Sequence, residues 1–321
     1  MRVVIIGGTG HIGSYLTPRL VEAGYTVLCV SRGQKTPYRQ HAVWKTIEYV
    51  VMDREEEEAA GKFGERIAAL EADTVIDLTC YRPESARQLL DALRGHVEHM
   101  LHCGTIWVHG HSVEVPTTEE ALRSAFGEYG IRKQAIEEYL LEEARRGFPV
   151  TVLHPGHLVG TGWNPINPQG NFNPQIFSDL AQGEEVTLPN IGMETVHHVH
   201  ADDVAQAFLC AMERRSAALG ESFHVVSPAA ITLRGFAEKM AAWFGRSAKL
   251  TFLPWEEWKT KVNERDAKAT WDHIAHSPNC SIAKARALLG YAPQYTSLDA
   301  VQEAVIAMQQ GGIVAKAQPA I

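Results

Sequence analysis

The first 155 residues alternate between short, continuous apolar runs and stretches with helical spacing. Val3–Ile6, Tyr25–Val30, Ile47–Met52, Thr74–Cys80, Val97–Cys103 and Val150–Leu153 read as strands. Between them, Ile12–Ala23, Ala59–Glu71, Glu84–Leu93 and Tyr129–Arg146 suit helices. Strands that are apolar throughout, separated by helices, predict a parallel sheet covered on both faces. Gly24 and Gly147 stand where helices end. Pro18 falls inside the first helix, where the missing N–H predicts a bend. The acidic run Glu55–Glu58 reads as a solvated turn or helix start. After Gly160 the pattern changes: Trp163–Pro174 is rich in Asn, Pro and Gly and predicts a loop across a cleft. Phe223–Val226 returns to strand, and Leu233–Phe244 and Ala283–Leu289 are amphipathic. The expected fold class is α/β, a Rossmann-type doubly wound sheet over 1–160 and 195–226. A smaller substrate lobe is expected over 161–194 and 227–321.

Gly7, Gly10 and Gly13 directly follow the first strand. In that context they predict a tight turn, close approach of the backbone to a pyrophosphate, and a helix N-terminus supplying N–H donors. The second strand ends in Ser31-Arg32-Gly33, with no acid for ribose hydroxyls. A basic residue there favours NADP over NAD, although Arg32 also fits a surface position. Asp53 reads equally as a partner for the adenine amino group or as a turn aspartate. Further on, Tyr129 and Lys133 share a helical face. A phenol near pKa 10 is a poor base, and a nearby ammonium favours its ionised form. Thr105, ending the fifth strand, offers a hydroxyl to a reacting carbonyl oxygen.

In chain order these segments resemble the extended short-chain dehydrogenase/reductases, the NAD-dependent epimerase/dehydratase family. Gly7-Gly8-Thr9-Gly10-His11-Ile12-Gly13 is similar to its cofactor loop, and Val75–Cys80 to the fourth strand beside the nicotinamide. Cys103–Gly110 resembles Ser-Ser-x-x-Val-Tyr-Gly, and Tyr129-x-x-x-Lys133 the catalytic pair. His154–Gly160 resembles Arg-Pro-x-Asn-Val-Tyr-Gly, His198–Val204 the segment ending Val-Asp-Asp-Val, and Cys280–Pro293 the C-terminal motif. The resemblance implies catalytic Thr105, Tyr129 and Lys133, with Lys133 lowering the Tyr129 pKa and also holding the nicotinamide ribose. It implies cofactor contacts at Gly7, Thr9, Gly10, His11, Ile12, Gly13, Ser31, Arg32, Asp53, Leu78, Thr79, Cys80, Pro155 and His157. Trp107, His154, Trp163 and Asn171 are candidate substrate contacts. A homodimer is implied too, with Leu140 and Leu141 suited either to its packing or to the internal core.

Family members acting on nucleotide sugars grip the diphosphate with arginines. Here Val196 and His276-Ser277-Pro278-Asn279 occupy those places. That favours a smaller, less charged sugar, polyol or ketone. The chain has 15 histidines, with His197, His198 and His200 clustered; polar lining is expected of His154 or His157, and no metal. Five scattered cysteines, no long apolar run and a net charge of −8 fit a cytoplasmic protein with no nucleic-acid or membrane partner. Three functions follow: hydride transfer between NADP(H) or NAD(H) and a secondary alcohol or ketone; epimerisation by transient oxidation; or a non-catalytic, cofactor-sensing or RNA-binding relative.

Overall fold

The computed structural model describes residues 1–316. Its first half contains β1 (Arg2–Ile6), α1 (Gly13–Glu22), β2 (Thr26–Ser31), β3 (Glu48–Val51), α2 (Arg54–Ala59) and α3 (Phe63–Ala68). Next come β4 (Thr74–Asp77), α4 (Pro83–Leu93), β5 (His99–Cys103), α5 (Gly127–Arg145) and β6 (Val150–Pro155). The second half continues with β7 (His157–Val159), α6 (Gln175–Gln182), β8 (Glu185–Pro189), β9 (Thr195–Val196), β10 (His198–His200), α7 (Ala201–Glu213), α8 (Arg215–Ala218) and β11 (Ser222–Val225). It closes with β12 (Ile231–Thr232), α9 (Leu233–Trp243), β13 (Lys249–Leu253), α10 (Trp255–Trp258), α11 (Glu264–His276), α12 (Ala283–Leu289) and α13 (Ser297–Gln310).

Seven strands form one parallel sheet in the order β11-β6-β5-β4-β1-β2-β3. The strand order reverses beside β1, the place where doubly wound sheets open a binding crevice. The remaining strands form three two-stranded pairs, β7 with β10, β9 with β12 and β8 with β13.

Three apolar cores hold these layers. Leu16, Leu20, Phe208, Phe223 and Tyr291 pack on one sheet face. Phe63, Ile67, Leu90, Ile136 and Leu140 pack on the other. Phe177, Leu188, Phe236, Met240 and Val301 fill the third, away from the sheet. Each fully buried Phe or Leu contributes about 1.5–3 kcal/mol, so the strand ends carrying the site are firmly anchored. Leu140 is fully buried in the internal core, with Leu141 packed beside it. The interior therefore accounts for Leu140.

One local expectation changes. The helix expected over Ala59–Glu71 shortens to α3, Phe63–Ala68, because its first residue Ala59 ends α2 and Gly61 follows at φ +69. The acidic run belongs to α2, whose N-cap Asp53 accepts from the Glu55 and Glu56 amides. Helix α1 runs through Pro18 without a break.

Candidate active site

The glycine loop leaves β1 with no room for side chains. A Cβ on Gly7, at φ +86, would lie 2.4 Å from Thr79 Cγ2, and one on Gly13 would lie 2.3 Å from the Gly8 carbonyl oxygen. Beside this turn opens a groove of about 420 Å³. Gly7, Thr9, Gly10, His11, Ile12, Gly13, Ser31, Arg32, Asp53, Leu78, Thr79 and Trp163 line it, all expected from the sequence. Lys35, Tyr38, Arg54 and Tyr81 also line it, and sequence reasoning missed them. Asp53 both faces the groove and caps α2. Cys80 and Pro155 do not line the groove, because both are buried at strand ends. Burial pushes the Cys80 thiol up to about 12. His157 also lies outside the groove, its ring turned among Phe172, His198 and His273.

Tyr129 and Lys133 rise from the first turns of α5 toward the end of β5. Tyr129 keeps 43% of its surface exposed at the rim. Burial at its hydroxyl end raises the phenol above its ordinary value, while a hydrogen bond with the Thr105 side chain works the other way. Lys133 is buried and donates to the Cys103 carbonyl at 2.7 Å. Burial pushes its ammonium below the usual lysine range, although Cys103, Cys80 and Asp77 favour the charge. It also lies 4.9 Å over the ring of Tyr81. Cys103 and Tyr81 raise the phenol further, and the Thr105 hydrogen bond lowers it. In this arrangement Lys133 fixes the strand end and Tyr81.

Two buried networks support this constellation. The Thr105 backbone N–H donates to His154 Nδ1 at 3.0 Å, so His154 Nε2 carries the proton it donates to Glu137 at 2.9 Å. Glu137 in turn pairs with Arg123 at 2.6 Å. Burial would raise the Glu137 carboxyl, but His154 and Arg123 hold it well below the usual carboxylate range. A Cβ on Gly104 would sit 2.4 Å from His154 Nδ1, so glycine lets the ring reach Thr105. His154, expected to line the cleft, is instead fully buried behind Thr105 and positions it. Under the groove, Arg54 Nη1 binds both oxygens of the fully buried Asp77 at 2.8 and 3.0 Å. An arginine placed just after Asp53 and an aspartate ending an apolar strand were the available signals.

Of the other substrate candidates, Trp163 stacks on His11 at 4.7 Å, bringing the loop after β7 against the glycine loop. Asn171 is fully buried, binding Asn167 and Thr270, so it shapes that loop from inside and does not face the cleft. Trp107 meets Tyr129 edge-on at 5.9 Å and begins a stack with His276 at 4.2 Å, Phe126 and His111. His197 bridges the Ser227 carbonyl and the Cys280 amide, and His200 stacks on Tyr295 at 3.8 Å and pairs with Glu303. Asp77, Cys80 and His102 bring a carboxylate, a thiol and an imidazole within 4.8 Å of one another. Arg54 already occupies the Asp77 carboxylate, and the ammonium of Lys133 acts on His102. Among the described residues no helix is long and apolar enough to cross a membrane.

The model of the NAD dependent epimerase/dehydratase family matches residues 3–225, and the chain belongs to that family. It is an enzyme of the extended short-chain dehydrogenase/reductase type. It is 26% identical over 279 residues to the 2'-dehydrokanamycin reductase of Streptomyces kanamyceticus, spanning 85% of this chain and 76% of that one. It is 24% identical over 316 residues to the chloroplast stem-loop binding protein of 41 kDa b from Arabidopsis thaliana, spanning 94% and 78%. Its fold is similar to a UDP-glucose 4-epimerase from Thermotoga maritima solved with UDP-glucose. That TM-score is 0.73 at 22% identity, over 97% of this chain and 99% of that one.

Proposed function

We propose that this enzyme moves hydride between NADP(H) and a secondary alcohol or ketone of a sugar-like or small carbonyl substrate, with net oxidation or reduction. The observation that carries the reading is the Tyr129 phenol hydrogen-bonded to the Thr105 side chain at the end of β5, where Lys133 holds the Cys103 carbonyl and lies over Tyr81, a residue of the groove wall. The groove suits a dinucleotide: its glycines sit where a Cβ would clash, and α1 begins at its floor. A nicotinamide bound there supplies or accepts hydride. Tyr129 holds the proton exchanged with the substrate oxygen, Thr105 orients that oxygen, and Lys133 keeps the strand end and Tyr81 in place. Arg32 and Lys35 in the groove wall support NADP, as cations facing a 2′-phosphate.

The reductase relative supports net redox turnover. Val196, buried in β9, and Ser277, bonded to Thr195, stand where diphosphate-binding arginines would be needed, which weighs against nucleotide-sugar epimerisation. The net charge of −8 weighs against the RNA-binding alternative. The test is a screen of ketones and sugar alcohols with NADPH, NADH and their oxidised forms. Net change in nicotinamide absorbance upholds the reading. Interconversion of sugar epimers without that change replaces it with the epimerase.

A further inference from the structure

We propose that Glu303, on α13, is a positioning residue for the dinucleotide: it pins the turn at 160–163 so that Trp163 walls the groove beside the adenosine diphosphate half. This rests on the dinucleotide reading of the groove and is independent of which substrate is reduced.

The turn is closed by the Trp163 N–H donating to the Gly160 carbonyl at 3.1 Å. It threads between two parts of the groove where only glycine fits. Gly160 takes φ +151, and a Cβ there would lie 3.1 Å from His200 Nε2 and 3.2 Å from His11 Nε2. Gly162 takes φ +81, and a Cβ there would lie 2.9 Å from Tyr38 Cδ1. Trp163 then stacks on His11 at 4.7 Å and meets Tyr38 edge-on at 6.0 Å, and all three rings line the groove. His11 belongs to the glycine loop, whose amides suit a pyrophosphate, and Tyr38 to the segment after β2, which faces the adenosine ribose in this fold. Trp163 therefore bridges the two segments suited to the adenosine diphosphate half.

The outer side of this turn is exposed at Thr161. One oxygen of Glu303 takes it up: the Thr161 hydroxyl donates to Glu303 Oε1 at 2.8 Å, and the Thr161 N–H to the same atom at 3.4 Å. His200 supplies a third donor. Its Nδ1 accepts from the Asp202 N–H at 3.1 Å, so Nε2 carries the proton donated to Glu303 Oε1 at 3.2 Å. His200 is fully buried and stacked on Tyr295 at 3.8 Å, so the carboxylate is referenced to a fixed group. The hydrogen bonds from His200 and Thr161 hold the Glu303 carboxyl down to about 2, and it stays charged at working pH. A carboxylate 142 residues from Thr161 thus orders an exposed turn before the ligand arrives, which removes that ordering cost from binding.

Isothermal titration calorimetry of the whole chain with ADP-ribose and its 2′-phosphate, the portions of NAD and NADP without nicotinamide, tests the pin with no turnover involved. Glu303→Ala is expected to weaken the tighter probe about fivefold, and Glu303→Gln, which keeps an acceptor for Thr161, to recover part of that loss. Trp163→Leu should weaken it about tenfold, and Glu303→Ala added to Trp163→Leu should cost nothing more, because one residue acts through the other. Asp299→Ala, which removes the capping box of the same helix, lowers the thermal midpoint and leaves probe affinity unchanged. Wild-type affinity in Glu303→Ala, additive losses in the double variant, or equal weakening by Asp299→Ala overturns the proposal and leaves the hydride-transfer reading standing. Failure of the wild-type chain to bind either probe overturns the dinucleotide reading and the proposal together.

Discussion

Around the glycine loop the cleft is walled by backbone and charge: close-packed glycines, the N-terminus of α1, Arg32, Lys35 and Asp53 beside an open groove. Around Tyr129 it is walled by rings and buried nitrogens: Trp107, Phe126, His157, His273 and His276, neutral and packed face to edge. The first wall recognises charge by short-range geometry that one turn of chain can supply. The second is a packing of rings whose parts come from residues 107 to 276. One end is written within a single turn of chain, and the other exists only where distant segments fold together.

Four changes would break or sharpen that contrast. The largest effect belongs to Tyr129→Phe, which removes the proton-carrying oxygen and keeps the ring against Trp107. We expect kcat to fall about 10²–10⁴-fold with cofactor affinity unchanged, as read by turnover and by NADPH fluorescence titration. A variant retaining full turnover would detach the ring-walled end from the chemistry.

Arg54→Ala comes next. It strands the Asp77 carboxylate, which has no exposed surface, while the Arg54 side chain is itself only 14% exposed. Loss of one partner of such a pair costs about 3–5 kcal/mol in urea unfolding, and Arg54→Met combined with Asp77→Leu restores most of it. Equal destabilisation in the double variant would show that the pair is not what supports the groove floor.

Acidification tests the neutral wall. Burial lowers His276 in that wall to about 4 and His157 and His273 below the ordinary 6.5, and behind it lowers His197 to about 4 and His198 to about 3. Each ring is neutral when folded and takes up a proton on unfolding. Their stability contribution is therefore complete above about pH 6.5 and is lost as pH falls through 6 toward the folded values. The thermal midpoint should decline steadily over that window, and a flat profile from pH 7 to 5 would contradict a neutral histidine wall.

The smallest effect is that of Arg32→Ala at the charged end. It should weaken NADPH binding about tenfold and leave NADH nearly unaltered, as measured by the ratio of their Michaelis constants. Equal loss for both cofactors would place Arg32 on the shared part of the dinucleotide.

The glycine loop, Thr105, Tyr129 and Lys133 were legible because each signal lies within one turn or one strand end. A glycine where a Cβ would strike Thr79, or a lysine one helical turn from a tyrosine, shows in local spacing. His154 and Asn171 misled because polarity in a motif does not tell whether a side chain faces a cleft or a buried partner. The Thr105 amide and Glu137 claim His154, and Asn167 and Thr270 claim Asn171. Arg54 went unnoticed because it opens α2 while its partner Asp77 lies 23 residues away at the end of β4.

The sequence by itself determined the doubly wound sheet, the cofactor turn and the residue types of the reacting centre, since periodicity, glycine spacing and a four-residue offset are properties of neighbouring residues. Only the tertiary structure decided what the histidines are for. A lone imidazole has the same composition whether it caps, stacks, positions or binds. Its tautomer and charge are set by the carbonyl, ring or carboxylate that folding brings against it, as Asp272 does for His276 and Glu137 for His154.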